Sequence, residues 1–391
     1  MIADSVFVTG MGVICCCGYD VNSAFNAIVD GQDGVKPLHL FDSRLKNIPL
    51  CGQVEIIPEK YSGTYRTLSL ALAATDEAIR YFPKNHNLRL GVIVATTAGG
   101  LPQTERSYER LRNDPSIISS IVNEFSIHEP TAITAAICNY IGGTGLHTIS
   151  TACSTSLHAV GIAKRFINRN RYDACLVVGV DALSLLTIRG FASLTLLDPT
   201  GCRPFDKNRA GISIGEGAAA MMIVSEKVAS SFQLKKDARV SGWGASADCF
   251  HMTAPHPHGE GAKSAVEAAL REASMNPQDI SFIATHGTGT PDNDKAEICA
   301  MKSIFTTLPP FCSMKRTLGH TLAASGILES VFAIKALQQG VIPSTAGFND
   351  ADEQIGAVPS EKKRCTLNTV LKNSFGFGGN NASVIFSKCD E

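Results

Sequence analysis

The sequence predicts an α/β fold made from one unit used twice, and three observations predict it. Short apolar runs end in glycine clusters, segments of helical period lie between them, and the same order of landmarks returns later in the chain. Apolar runs without alternation read as strands covered on both faces, the arrangement of α/β proteins. With 391 residues, 44% hydrophobic and 18% charged, the chain has the apolar content for such cores, which excludes disorder.

Taken in order, residues 5–9 run into Gly10-Met11-Gly12, and a helical period follows over 67–81. Residues 90–95 lead into Thr96-Thr97-Ala98-Gly99-Gly100, and 147–151 lead to Cys153. A helix is predicted over 156–168, and 174–180 form the next apolar run. The second part echoes this order. Val240-Ser241-Gly242-Trp243-Gly244 matches the first glycine cluster, 262–273 is helical, and 280–285 end in His286-Gly287-Thr288-Gly289. Residues 311–315, Gly319-His320 and a helix over 322–337 match the strand, Cys153 and its helix. Residues 368–371 with 373–379 match 174–180. The echoes divide the chain into 1–235 and 236–391, with the Lys- and Ser-rich stretch 225–238 between them.

Composition removes several classes of function. A formal charge of −1 gives no electrostatic reason for a nucleic-acid or membrane-surface partner. Asp4 stands where a secretion signal wants cations, and runs such as 218–224 fall short of the roughly 20 residues of a membrane helix. Thirteen cysteines without a CxxC pair read as reduced, mostly buried thiols, so a cytoplasmic location is expected. Cys15-Cys16-Cys17 reads as packing rather than a metal site. Gly376-Phe377-Gly378-Gly379 lacks the spacing of a dinucleotide loop, and no zinc, HExxH or phosphate-loop motif occurs. No cofactor or metal is expected.

The residues left for chemistry sit at strand ends. Cys153 lies between a predicted strand and a helix, with Ser154, Thr155 or Ser156 available as the helix cap. A thiol there gains from the helix dipole, which favours thiolate; the alternative is one more buried cysteine. His286 and His320 follow equivalent strands, which the repeat brings to the junction of the halves. Lys315 and Glu297 are expected to form a buried pair that orients the second histidine.

Six motifs carry a resemblance. They are 150–156 around Cys153, His286-Gly287-Thr288-Gly289-Thr290, Lys315 with Gly319-His320, and 373–379. Arg203-Pro204-Phe205-Asp206, with Arg209 and Gly215-Glu216-Gly217, and His251-Met252-Thr253-Ala254-Pro255-His256-Pro257 complete the set. Together they resemble the β-ketoacyl-ACP synthases, most closely the elongating Cys-His-His type, over nearly the whole chain. The resemblance implies the thiolase fold, duplicated αβαβα halves in a five-layer arrangement. It also implies an acyltransferase: a cytoplasmic ketosynthase of fatty acid, polyene or polyketide biosynthesis, working as a dimer. Cys153 would carry the acyl chain, and the N–H groups of Cys153 and Phe377 would form the oxyanion hole. His286 and His320 would stabilise the enolate from malonyl-ACP, with Lys315 and Glu297 supporting them. Phe377 would act as the gate. Thr288 and Thr290 would hold the phosphopantetheine arm, and Ala98, Phe191 and Phe375 would contact substrate. The substrate arrives on acyl carrier protein, so no separate cofactor is implied. The partner subunit is a second copy or a chain-length-factor-like chain.

Two departures bear on substrate and docking. Ala98 stands where such enzymes commonly carry a bulky residue, which suggests room for a long, rigid or aryl-bearing chain. Arg66 and Arg189 are candidates for docking the carrier protein, while Thr195 replaces a frequent basic residue. The competing readings are a non-catalytic chain-length-factor-like subunit and a non-decarboxylating thiolase. Retention of Cys153, both histidines and Lys315 opposes the first. The absence of a second catalytic cysteine near the C-terminus opposes the second.

Overall fold

The computed structural model describes residues 5–84 and 87–389, so Asp4 and the reading of the extreme N-terminus lie outside the described residues. The first half contributes β1 (Val6–Cys15), β2 (Leu90–Ala95), β3 (Gly145–Ile149), β4 (Ala174–Asp181) and β5 (Gly217–Ser225). The second contributes β6 (Ala238–Ala247), β7 (Phe282–Ala284), β8 (Phe311–Cys312), β9 (Thr369–Phe375) and β10 (Asn380–Ser387). They form one ten-stranded sheet in the order β8-β7-β9-β10-β6-β1-β5-β4-β2-β3. Read outward from the centre, each strand occupies the place of its counterpart in the other half. Within each half, parallel pairs lie at the outside and antiparallel pairs towards the centre. The halves meet where β1 and β6 pair at only two positions, Phe7 with Arg239 and Val8 with Ala238.

The helices that position the site are α1 (Arg66–Ala78), α2 (Pro130–Ile141), α3 (Thr155–Asn168), α4 (Leu185–Ser193), α5 (Glu260–Ala273), α6 (Pro291–Ile304) and α7 (Ser325–Gln339). The first two cover the outer face of the first half, and α5, backed by α6, covers that of the second. Helices α3 and α7 pack on each other and on strands of both halves. This gives five layers. Nearly every residue of α7 is buried, the mark of a helix with protein on all sides.

The glycine pairs do not end the strands, as the runs 5–9 and 240–244 suggested, but lie within them. Gly10 and Gly12 lie inside β1, where a Cβ would come within 2.0 Å of the Ala78 and Ala74 carbonyl oxygens of α1. Gly242 and Gly244 lie inside β6 against the Ala269 and Ala265 carbonyl oxygens, at 2.2 and 2.0 Å. The echo is a shared requirement for a helix backbone to touch a strand. The run predicted over 311–315 is also shorter than expected, since Lys315 already opens a helical turn, Lys315–Leu318.

Candidate active site

Cys153 sits between β3 and α3, after Ala152, whose φ of 52° is left-handed and costly for a residue with a side chain. Thr155 holds this turn: its hydroxyl accepts from the Thr151 N–H at 2.9 Å and donates to the Ala152 carbonyl. The expected side-chain cap is not made. Ser154 occupies the cap position, but its hydroxyl donates to the Thr151 carbonyl at 2.9 Å. Ser156 accepts from the Ile327 N–H at 2.9 Å, tying α3 to α7. The thiolate expectation is also corrected. Burial pushes the Cys153 thiol up to about 11, although the Lys315 charge and the N–H groups of Phe377 and Cys153 pull the other way.

His286 follows β7 and His320 follows the turn Lys315–Leu318; both imidazoles are buried. The Cys153 sulfur and one ring nitrogen of each histidine lie within 4.8 Å of one another. The two rings cross at 82° with centroids 5.4 Å apart. Burial, then the Lys315 charge, holds both imidazoles well below the usual histidine range, so they are neutral at pH 7. The His320 tautomer is fixed. Its Nδ1 accepts the Leu322 N–H at 3.2 Å, which leaves the proton on Nε2, and the Ser325 hydroxyl lies 2.9 Å from the same Nδ1. Among the described residues this trio is the one group of three such donors close enough to share a metal ion.

The expected Lys315–Glu297 pair does not form. Glu297, on α6, accepts the backbone N–H groups of His286 and Gly287 at 2.9 and 2.8 Å and the Asn373 amide at 3.2 Å. Lys315 instead pairs with Glu329 of α7 at 2.5 Å and donates to the His286 carbonyl at 3.0 Å. Lys372 of β9 takes the other Glu329 oxygen at 2.6 Å and donates to the Thr285 carbonyl at 2.9 Å. Glu297 directly, and Glu329 through the two lysines, hold the backbone around His286 and not the ring of His320. Glu329 and Lys372 escaped the sequence reading. The available signal was a charge beside apolar neighbours in each element, Glu329 after Ile327-Leu328 and Lys372 after Val370-Leu371, since a buried charge demands a partner.

Two cavities meet at Cys153. One is lined by both histidines, Thr288, Thr290 and Phe375; the other is apolar and lined by Ala98, Leu101, Leu186, Leu194 and Leu322. Phe191 and Phe377 line both and stack with centroids 5.6 Å apart, so they stand as a partition. Thr288 and Thr290 hydroxyls are 2.9 Å apart, and Phe375 meets the His286 ring edge to face at 5.9 Å. Gly376 leaves room for the nucleophile turn, since a Cβ there would lie 3.0 Å from the Thr151 carbonyl oxygen and 3.2 Å from the Cys153 nitrogen. The N-terminal domain family of the β-ketoacyl synthases matches residues 3–229, and their C-terminal domain family matches 237–349.

The chain belongs to the β-ketoacyl synthases. Nodulation protein E of Rhizobium meliloti is 31% identical, over 98% of this chain and 99% of its own length. The 3-oxoacyl-[acyl-carrier-protein] synthase 2 of Coxiella burnetii is 30% identical, over 98% of both chains. Among solved structures, the ishigamide ketosynthase/chain length factor superposes with a TM-score of 0.92 at 27% identity, covering 99% of this chain and 100% of that one. A ketosynthase in complex with its chain length factor from Xenorhabdus doucetiae gives a TM-score of 0.84 at 30% identity, covering 99% and 98%. These neighbours have the thiolase fold of ketosynthases, which the duplicated sheet and shared inner helix layer reproduce.

One docking expectation for this β-ketoacyl synthase is overturned. Arg66 is turned inward, its guanidinium clamped on the buried Glu216 carboxylate and the Val54 carbonyl. Arg189, on α4, remains exposed, as does Thr195. Among the described residues no helix is long and apolar enough to cross a membrane.

Proposed function

We propose that the chain is an elongating β-ketoacyl-ACP synthase that condenses an acyl group on Cys153 with malonyl-ACP. The observation that carries this reading is one thiol and two neutral imidazoles converging at the meeting point of two cavities. Cys153 attacks the incoming acyl thioester, the carbon–sulfur bond to the carrier arm breaks, and the acyl chain enters the apolar cavity beside Ala98. The thiol is protonated at rest, so a base must take its proton. His320 has its only free nitrogen protonated, which leaves His286 for that role, and the proton passes to the departing carrier thiol. In the second half-reaction the malonyl carboxyl leaves as CO₂, and its bonding electrons form a thioester enolate. The enolate oxygen accepts from the His320 Nε2–H, and from His286 in the tautomer that turns its N–H to the site, which nothing locks because its Nδ1 is buried without a partner among the described residues. The enolate carbon then attacks the acyl carbonyl, whose oxygen gathers charge facing the Cys153 and Phe377 N–H groups. Collapse expels the Cys153 sulfur as thiolate, which takes a proton from solvent water to restore the resting thiol.

On this reading Thr288 and Thr290 hold the phosphopantetheine arm in the first cavity, and Phe377 with Phe191 gates the second. The substrate comes on acyl carrier protein without a separate cofactor, and the enzyme works in the cytoplasm. It acts as a dimer of two copies or with a chain-length-factor-like subunit, and residues 1–235 and 236–391 are its two halves. The small side chain of Ala98 leaves the acyl cavity open to a long, rigid or aryl-bearing chain. Intact-mass analysis after incubation with a panel of acyl-carrier proteins, beside Cys153→Ala, tests the core of this. An acyl adduct absent from the variant, followed by CO₂ release with malonyl-ACP, is expected. An adduct equally present in the variant, or none from any donor even with a co-expressed partner subunit, would sink it.

A further inference from the structure

Asp181, the last residue of β4, is a fully buried carboxylate whose charge helps to raise the Cys153 thiol, an effect common to all donors, but which bonds to none of the reacting groups. Its Oδ1 accepts from the Thr96 hydroxyl at 2.8 Å, the Thr97 N–H at 3.0 Å and the Ala98 N–H at 2.9 Å. Its Oδ2 accepts from the Thr97 hydroxyl at 2.6 Å and the Ala323 N–H at 2.9 Å. The donors come from two separate stretches: the end of β2, and the turn that follows His320 in the other half of the chain. Both stretches wall the apolar cavity, through Thr97 and Ala98 on one side and Leu322 on the other. Leu322 itself holds a left-handed φ of 50°, which persists only where its surroundings impose it. The same residue's N–H fixes the His320 tautomer.

We propose that Asp181 is a positioning residue that sets the width of the acyl cavity beside Cys153 and thereby the acyl chains accepted. The inference rests on the reading of that cavity as the acyl site. A carboxylate suits the place because it only accepts, and every group facing it donates. An amide would turn one donor against another and release a strap. Only one strap need fail for the two walls to lose their fixed spacing.

The test is the rate of Cys153 acylation, followed by intact mass, with a short linear donor and with the longest donor the unaltered enzyme accepts. Asp181→Asn is expected to reduce the discrimination between the two by about tenfold or more, the scale that one misfit methylene commands. Thr97→Val removes a single donor and is expected to move the ratio the same way by less, which covers the case in which Asp181→Asn does not fold. A uniform slowing with the ratio intact, in whichever variants fold, would overturn the inference and leave Asp181 a merely structural residue. Failure of the unaltered protein to acylate would instead overturn the functional reading itself.

Discussion

Cys153 is caught between opposing influences: burial and the Asp181 carboxylate favour the thiol, while the helix N-terminus, Lys315 and two backbone N–H groups favour thiolate. Burial wins, and the thiol is pushed up to about 11. A consequence can be read by alkylation. Below that value the thiolate fraction rises about tenfold per pH unit, so the iodoacetamide rate at Cys153 should climb steadily from pH 7 to 10. A plateau below pH 8 would mean that the favouring influences prevail. The histidines behave oppositely. Their values are lowered, so falling pH does not charge them at the ordinary histidine value, and condensation should hold its rate down to about pH 6. A loss centred near pH 6.5 would contradict this. The two rings should also separate by half-reaction: His320→Ala should keep the Cys153 adduct yet lose CO₂ release by about a hundredfold or more, whereas His286→Ala should slow both. Cys153 and His286 were legible in the sequence because each sits among small residues just after a predicted strand, and His320 because it follows Gly319 just before an apolar helix. Among their supports, Glu297 was read as a buried acid but with the wrong partner, and Glu329 and Lys372 were not read at all, because they reach the site from other elements.

At the scale of elements, the strands and helices were legible by type and order, but the glycines were misread. Glycine signals a turn when the chain must bend, and an identical signal arises where another backbone presses against a strand. Only the partner helix tells these apart, and its position is a tertiary fact. Gly12→Val should therefore be severely destabilising, beyond the roughly 1–3 kcal/mol of ordinary overpacking, because the obstacle is the fixed Ala74 carbonyl. Denaturant midpoints would measure it, and a loss under 1 kcal/mol would show that α1 can shift. Helix α7 poses the converse case. Glu329 is its buried carboxylate and answers both Lys315 and Lys372, so Glu329→Ala should cost about 3–5 kcal/mol by leaving cations without their partner.

For the whole molecule, the doubled sheet puts the nucleophile turn in one half and both histidines in the other. The proposed oxyanion donors divide the same way, Cys153 from the first half and Phe377 from the second. The pairing of two residues on β1 with two on β6, the packing of α3 and α7 on each other and on strands of both halves, and hydrogen bonds such as that from the Ala323 N–H to Asp181 hold these parts in register. The duplication was visible in the order of landmarks. The five-layer arrangement came with the family resemblance alone, because which helices lie between the sheets depends on the fold of both halves together. Acyl selection also belongs to this scale, since the cavity beside Cys153 draws its walls from both halves. Ala98→Phe should shorten the longest chain that Cys153 accepts while leaving short donors nearly unaffected; equal loss for all donors would remove Ala98 from the acyl wall.

Lys315, Lys372, Glu329 and Glu297 form a buried set with two charges of each sign, and its neutrality belongs to the group rather than to any member. No single substitution that alters charge preserves that balance. Across descendants of this chain, such positions should therefore change in opposite-sign pairs or stay fixed, so that covariation would mark the cluster even where individual residues drift.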